Sequence, residues 1–141
     1  MSAPLDAHLA RSRTLADELR RGVGRAGLAK KTSNLFRDRA PGARRRLEVD
    51  AFREVISIDR ESGSVEVEGM ASYERLVDEC LPHGVMPAVV PQLKTITIGG
   101  AVAGVGIESS SHRQGLVHET VRELEVLTRS EERRVGKECR L

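Results

Sequence analysis

The hydrophobic positions fall into a helical stretch, a pair of alternating runs, a second short helix and a glycine-rich segment. Leu9, Leu15, Ala16 and Leu19 recur at near-helical spacing among charges and predict an amphipathic helix over Ala7 to Arg21. Gly22, Gly24 and Gly27 end it, and a short strand is expected over Leu28 to Thr32. Glu54 to Ile58 and Ser64 to Glu68 alternate apolar with polar and flank a turn, Asp59 to Gly63, that ends in glycine. That pattern predicts a β-hairpin. Ser72 can cap a helix running to Leu81, with Leu76, Val77, Cys80 and Leu81 on one side and Pro82-His83-Gly84 at its end. Pro87 and Pro91 keep Met86 to Leu93 extended. A helical turn is expected over Ala101 to Val105, and a strand over Leu124 to Thr128. Together these elements predict an α+β fold with a small mixed sheet and flanking helices.

The chemistry concentrates in Thr95 to Gly115, TITIGGAVAGVGIESSSHRQG, with five glycines and a Ser-Ser-Ser-His run. Glycine lets a backbone turn sharply and come close to a ligand. Successive exposed N–H groups form a nest suited to phosphate, and serine and histidine can add hydrogen bonds. No Gly-Lys-Ser/Thr closes the segment, so it is not a Walker loop, and no G-x-G-x-x-G opens a helix. Gly-Gly is commonly only a tight turn.

The order of residues resembles a known family. PQLKTITIGGAVAGVGIESSSHRQG is similar to the flavin loop of PCMH-type FAD-binding domains, those of the vanillyl-alcohol oxidase kind, and GIESSSH-x-x-G resembles the Δ24-sterol reductase branch. KKTSNLFR, Lys30 to Arg37, resembles the family's first flavin-contacting loop. The likeness covers about Lys30 to Thr128. It implies the N-terminal part of a PCMH-type FAD-binding domain in a flavin-dependent oxidoreductase. Such a parent would act on a carbon–carbon double bond of a sterol-like or other apolar substrate. It implies FAD contacts at Thr97, Ile98, Gly99, Gly100, Gly104 and Gly106, then at Ser110, Ser111 and His112, and at Lys31, Thr32, Ser33 and Asn34. The first loop has no histidine, so non-covalent FAD is expected. No catalytic residue is assigned. The alternative is a diphosphate-binding module without catalytic activity.

Composition narrows the remaining classes. With 141 residues, one domain is expected. One Tyr, two Phe and no Trp leave a core of aliphatic residues. No apolar run is long enough for a membrane span, and the N-terminus lacks the apolar core of a signal peptide. The chain reads as cytoplasmic. Cys80 is expected in the core. No His, Cys, Asp or Glu set has metal-ligand spacing. Glu108, an acid inside an anion-binding loop, is expected to turn away or to pair with Arg113 or Lys94. His118 is expected in a loop. Arg44-Arg45-Arg46 reads as a solvated loop. A nucleic-acid arm over Arg37 to Arg46 is disfavoured by the few aromatic residues and by the charge balance.

The formal charge of +2 resides entirely in residues 129–141, which hold five basic and three acidic residues. RSEERRVGKEC resembles the in-frame translation of a common sequencing adapter. The expected organisation is therefore a helix and linker over 1–29, the partial FAD-binding domain over 30–128, and an artefactual tail over 129–141 that does not pack on the rest.

Overall fold

A computed structural model describes residues 3–30 and 45–129 and the backbone of 132–136. Helix α1 spans Ala3–Arg21 and buries Ser12 and Ala16, so the amphipathic reading holds and the helix begins earlier than its apolar spacing suggests. Strand β1 is Ala26–Ala29, and its parallel partner β2 is Arg45–Glu48. The expected strand therefore lies two to three residues earlier. The expected arginine loop is in part a strand: Arg45 and Arg46 are drawn into it because Leu47 next to them is buried. The Arg45 guanidinium donates to the Glu18 carbonyl at 2.5 Å, near the C-terminal end of α1, where the helix dipole favours a cation.

The hairpin forms as expected, with β3 at Val55–Asp59 and β4 at Ser64–Val67 antiparallel. The Asp59 carboxylate accepts from the Glu61 and Ser62 backbone N–H groups, and Gly63 adopts φ 62° to close the turn. Helix α2 is Tyr73–Cys80, and the Ser72 hydroxyl accepts from the Arg75 N–H as its cap. A 3-10 turn, Leu81–His83, follows and ends at Gly84 with φ 70°. Cys80 is buried as expected, but Leu81 is exposed, because the chain leaves the α-helix there. No helix interrupts 86–93.

Helix α3 is Ile98–Ala103, α4 is Ser111–Gln114, and Val117–Thr120 is a second 3-10 turn carrying His118, not a plain loop. Strand β5, Glu123–Leu127, pairs antiparallel with β6, Glu132–Gly136. Among the described residues the strands form three separate two-stranded ladders, one parallel and two antiparallel. The α+β class holds. The non-packing tail does not: the backbone of 132–136 is laddered on β5, and the Arg129 side chain donates to the Gly24 carbonyl at 2.9 Å. A strand edge offers unpaired N–H and C=O groups to any adjacent extended segment, whatever its side chains.

The main core gathers Tyr73, Leu76, Cys80, Val89, Ala101 and Val117, with Val55, Ile58, Val65 and Val67 packed against it. Ala16, Leu47, Val49 and Ile56 are also buried, and α1 packs on β2 and β3. Among the described residues one buried group is charged. The Glu68 carboxylate, with its side chain fully enclosed, accepts from Arg11 at 2.6 Å, from His8 Nδ1 at 2.8 Å and from the Glu54 backbone N–H at 2.8 Å. Burial pushes this carboxyl up. The hydrogen bonds of Arg11, of the Glu54 N–H and of His8 outweigh burial and hold it below its ordinary value of 4.5.

A carboxyl lowered by folding stabilises the fold above its unfolded value and loses that contribution in acid. Stability is therefore expected to fall as pH drops below about 4.5. Glu68→Gln should cost about 3 kcal/mol at neutral pH, since it leaves Arg11 and His8 facing an uncharged amide. Its acid branch should also be flatter. Thermal melts of both proteins from neutral to acid pH check this, and parallel acid branches would remove Glu68 as the source.

Candidate functional site

The glycine segment is fixed by the start of α3. The chain before it lies against the start of α2: the Tyr73 N–H donates to the Ile96 carbonyl and the Glu74 N–H to the Lys94 carbonyl, each at 3.0 Å. Ser72 and Thr97, the caps of α2 and α3, face each other in an isolated antiparallel bridge. No longer strand precedes the glycines. The helix begins at Ile98, so Gly99 and Gly100 form its first turn instead of a bend ahead of it. The Thr97 hydroxyl sets this start by accepting from the Gly100 N–H at 3.2 Å.

The first amides of α3 have partners within the chain. The Ile98 N–H donates to the Ala71 carbonyl at 2.9 Å, Gly99 to the Gly69 carbonyl at 2.8 Å, and Ala101 to the Thr97 carbonyl at 2.9 Å. The glycines here are required by close approach. A Cβ on Gly99 would stand 2.9 Å from the Gly69 oxygen, and one on Gly100 2.8 Å from the Thr97 hydroxyl. A Cβ on Gly106 would meet Val117 at 2.8 Å, and one on Gly104 would meet the Gly100 oxygen at 2.8 Å.

The opposite side of α3 is open. Gly99, Gly100, Ala103 and Gly104 are exposed, while Ala101 is buried toward Val117. The solvent face of α3 therefore carries nothing larger than a methyl group, and a ligand can lie directly on backbone. Val105 follows with φ 56°, left-handed backbone that a β-branched side chain rarely adopts. Gly104, Val105 and Gly106 turn the chain so that the Gly106 N–H donates to the Ala101 carbonyl and its carbonyl accepts from the Val117 N–H. Sequence reasoning missed Val105, because residue identity gives no sign of a strained valine between two glycines.

The serine run organises itself around Glu108. Its carboxylate accepts from the Ser110 backbone N–H and from the Ser109 hydroxyl at 3.0 Å, and its own N–H donates to the Ser111 hydroxyl at 3.1 Å. The Ser110 hydrogen bond is the main reason the Glu108 carboxyl lies below its ordinary value. Glu108 pairs with neither expected base. Lys94 instead bonds Glu74 across to α2. His112 Nδ1 donates to the Ser109 carbonyl at 2.9 Å, which orients an exposed ring with Nε2 turned away from that carbonyl. Thr97, Ile98, Gly99, Gly100, Gly104, Gly106, Ser110, Ser111 and His112 thus lie along one continuous stretch of α3, its following turn and α4. Lys31, Thr32, Ser33 and Asn34 lie outside the described residues.

A polar cleft of about 390 Å³ opens beside Thr97, lined by Asp50, Arg53, Met70, Ser72, Arg75 and Thr95. Arg53 is paired with Asp50 at 3.3 Å, and Arg75 with Glu54 at 2.5 Å. Periodicity could not have found this cleft, since its residues come from three separate stretches of the chain. Among the described residues no helix is long and apolar enough to cross a membrane.

An α+β unit that brings a bare-backbone helix face next to a serine-histidine turn has the character of a nucleotide-cofactor module. The chain belongs to the family described as FAD binding domain, which matches residues 31–135. It is of the PCMH type, near the Δ24-sterol reductase branch. It is 36% identical over 85 residues to Delta(24)-sterol reductase of Pisum sativum, covering 59% of this chain and 15% of that protein. It is 33% identical over 63 residues to the Homo sapiens Delta(24)-sterol reductase, covering 45% of this chain and 12% of that protein. It is 32% identical over 107 residues to decaprenylphosphoryl-beta-D-ribose oxidase of Mycolicibacterium smegmatis, covering 74% of this chain and 23% of that protein. The chain thus spans less than a quarter of the length of these relatives.

Two substitutions separate the roles of the first turn. Gly99→Ala should destabilise by about 1–3 kcal/mol, because its methyl must displace the Gly69 carbonyl. Thr97→Ala should cost about 1 kcal/mol through loss of the cap. Chemical denaturation of each variant checks both, and a neutral Gly99→Ala would mean that α3 does not press on Gly69.

Proposed function

We propose that this chain supplies the first part of the FAD site of a flavin-dependent oxidoreductase, and that its glycine helix lies against the cofactor's diphosphate. The open face of α3, Gly99, Gly100, Ala103 and Gly104, carries the reading, because it is a surface without side chains inside a family defined by FAD binding. The residues fit a diphosphate of that kind. Close approach is provided by the glycines, and hydroxyl and imidazole groups by Ser110, Ser111 and His112, with Lys31, Thr32, Ser33 and Asn34 as a second contact. The early amides of α3 are already bonded within the chain, so they shape the surface and the following turn meets the ligand.

When bound, FAD supplies the redox chemistry, and the protein supplies position and surroundings. The residues here bind and orient; none is assigned to proton transfer. Binding is non-covalent in this reading. For the substrate, the GIESSSH match favours the apolar, sterol-like carbon–carbon double bond that the name of the Delta(24)-sterol reductases carries.

Charge-assisted hydrogen bonds to a diphosphate are worth roughly 1.5–3 kcal/mol each. The flavin ring and adenine also need apolar walls, at roughly 25 cal/mol per Å² of buried surface. The 141-residue chain is therefore expected to bind FAD weakly or not at all, whereas a protein extended to the length of the relatives should purify yellow. In the extended protein, Gly100→Val should empty the site while a thermal melt shows it folded. Calorimetric titration with FAD and the flavin absorbance of both lengths decide it. Micromolar binding by the short chain, or unchanged flavin content in a folded valine variant, would place the cofactor elsewhere.

A further inference from the structure

Helix α1 ends ten residues before the family match begins at residue 31, yet it supplies two of the three donors to the buried Glu68 carboxylate. His8 is the centre of that attachment. Its Nδ1 lies 2.8 Å from a Glu68 oxygen and its Nε2 lies 3.1 Å from a Glu125 oxygen. Both partners are carboxylates, and an ionised carboxylate only accepts. Both ring nitrogens must therefore carry hydrogen for the two contacts to hold, which makes the ring an imidazolium. The groups facing it are Arg11 and Ser12 on α1, Glu68 after β4, Glu125 on β5 and Phe52 before β3. The Phe52 ring stands edge-on to His8 with centroids 6.2 Å apart, and the Arg11 guanidinium lies 5.8 Å over the same ring. The Ser12 hydroxyl is 3.5 Å from Nε2.

We propose that α1 is fastened to the FAD-binding domain by a protonated His8 clasped between Glu68 and Glu125, and that it loosens when His8 loses its proton. The proton leaves from Nε2. Glu68 is fully enclosed, whereas a quarter of the Glu125 side chain meets water, so the loss is easier to bear on the Glu125 side. A lone pair then faces the Glu125 carboxylate, and the contact turns from attraction to repulsion. Arg11 and the Glu54 N–H keep Glu68 satisfied, so the hairpin end stays in place while α1 frees itself from β5. Burial lowers the affinity of His8 for its proton. The hydrogen bonds and charges of Glu68 and Glu125 outweigh it and hold His8 above its ordinary value of 6.5. The sign follows: a group raised by docking contributes fully below its undocked value, and the contribution fades as pH rises through the docked value.

The test uses the 141-residue chain labelled with nitrogen-15. Imidazole resonances give the His8 titration midpoint, with His83, His112 and His118 as internal comparisons. Amide hydrogen exchange, corrected for intrinsic rates, gives the protection of α1 and of α2 between about pH 6 and pH 9, the range of a raised histidine. Protection of α1 is expected to fall through the His8 midpoint, by tenfold for each pH unit that docking raises it above the unfolded chain. Protection of α2 should not follow it. Glu125→Gln should lower the His8 midpoint, and His8→Gln should make α1 protection independent of pH. If His8→Gln does not fold, the wild-type titration and Glu125→Gln decide alone. A His8 midpoint at or below that of the unfolded chain, or α1 protection that ignores the titration, would overturn the proposal.

Discussion

The four residues from Glu68 to Ala71 hold the rest of the molecule in register. The Glu68 N–H donates to the Glu54 carbonyl and the Met70 N–H to the Phe52 carbonyl, which ties this stretch to the entry of the hairpin. Its side chain draws α1 in through Arg11 and His8. Its next carbonyls, on Gly69 and Ala71, take the Gly99 and Ile98 amides and so set where α3 starts. A buried carboxylate is costly unless every oxygen is answered, so this arrangement tolerates little drift. The position of the glycine face is thus linked through a short run of backbone to the charge cluster around Glu68.

The glycines of the candidate site meet two demands at once. Gly99 must lack a Cβ on the side of Gly69, and its exposed side offers backbone to a ligand. Gly106 has the same double character between Val117 and the following turn. Packing alone would explain the glycine at both positions, and so would a cofactor. Gly100 and Gly104 are likewise short of room for a Cβ, against the Thr97 hydroxyl and the Gly100 carbonyl, and what a cofactor adds is a use for the bare exposed face that these glycines leave. Strain at Val105 adds to this. Left-handed valine costs of order 1–3 kcal/mol and persists where the surroundings over-determine it, as they do beside binding sites.

Local chemistry made the helix and hairpin elements legible. The alternation of β3 and β4, the turn closed by Gly63 and the caps at Ser72 and Gly84 are decided within a few residues, and each stands where the pattern puts it. What could not be read depends on distant partners or on the local backbone conformation. Arg45 and Arg46 look like a solvated charge run until β1 presents an edge beside them. Glu108 looks destined for a lysine or arginine, but the turn brings the amide two residues ahead onto its carboxylate. The start of α3 moved forward because the Ile98 and Gly99 amides find carbonyls on residues 71 and 69, and helix propensity alone would not place two glycines in a first turn.

Glu68 was equally invisible. In sequence it is the polar end of an alternating strand, and its alternation partner Glu66 is exposed as such a pattern requires. Only the approach of α1 turns it inward, by bringing two cations to a position that would otherwise need an apolar residue. The helix outside the family match and the charge inside it therefore depend on each other. Without Glu68 the buried face of α1 would carry an Arg11 without its carboxylate and a His8 held by Glu125 alone. Without α1 the residue before Gly69 would have to reach water, and the carbonyl that anchors Gly99 would move with it.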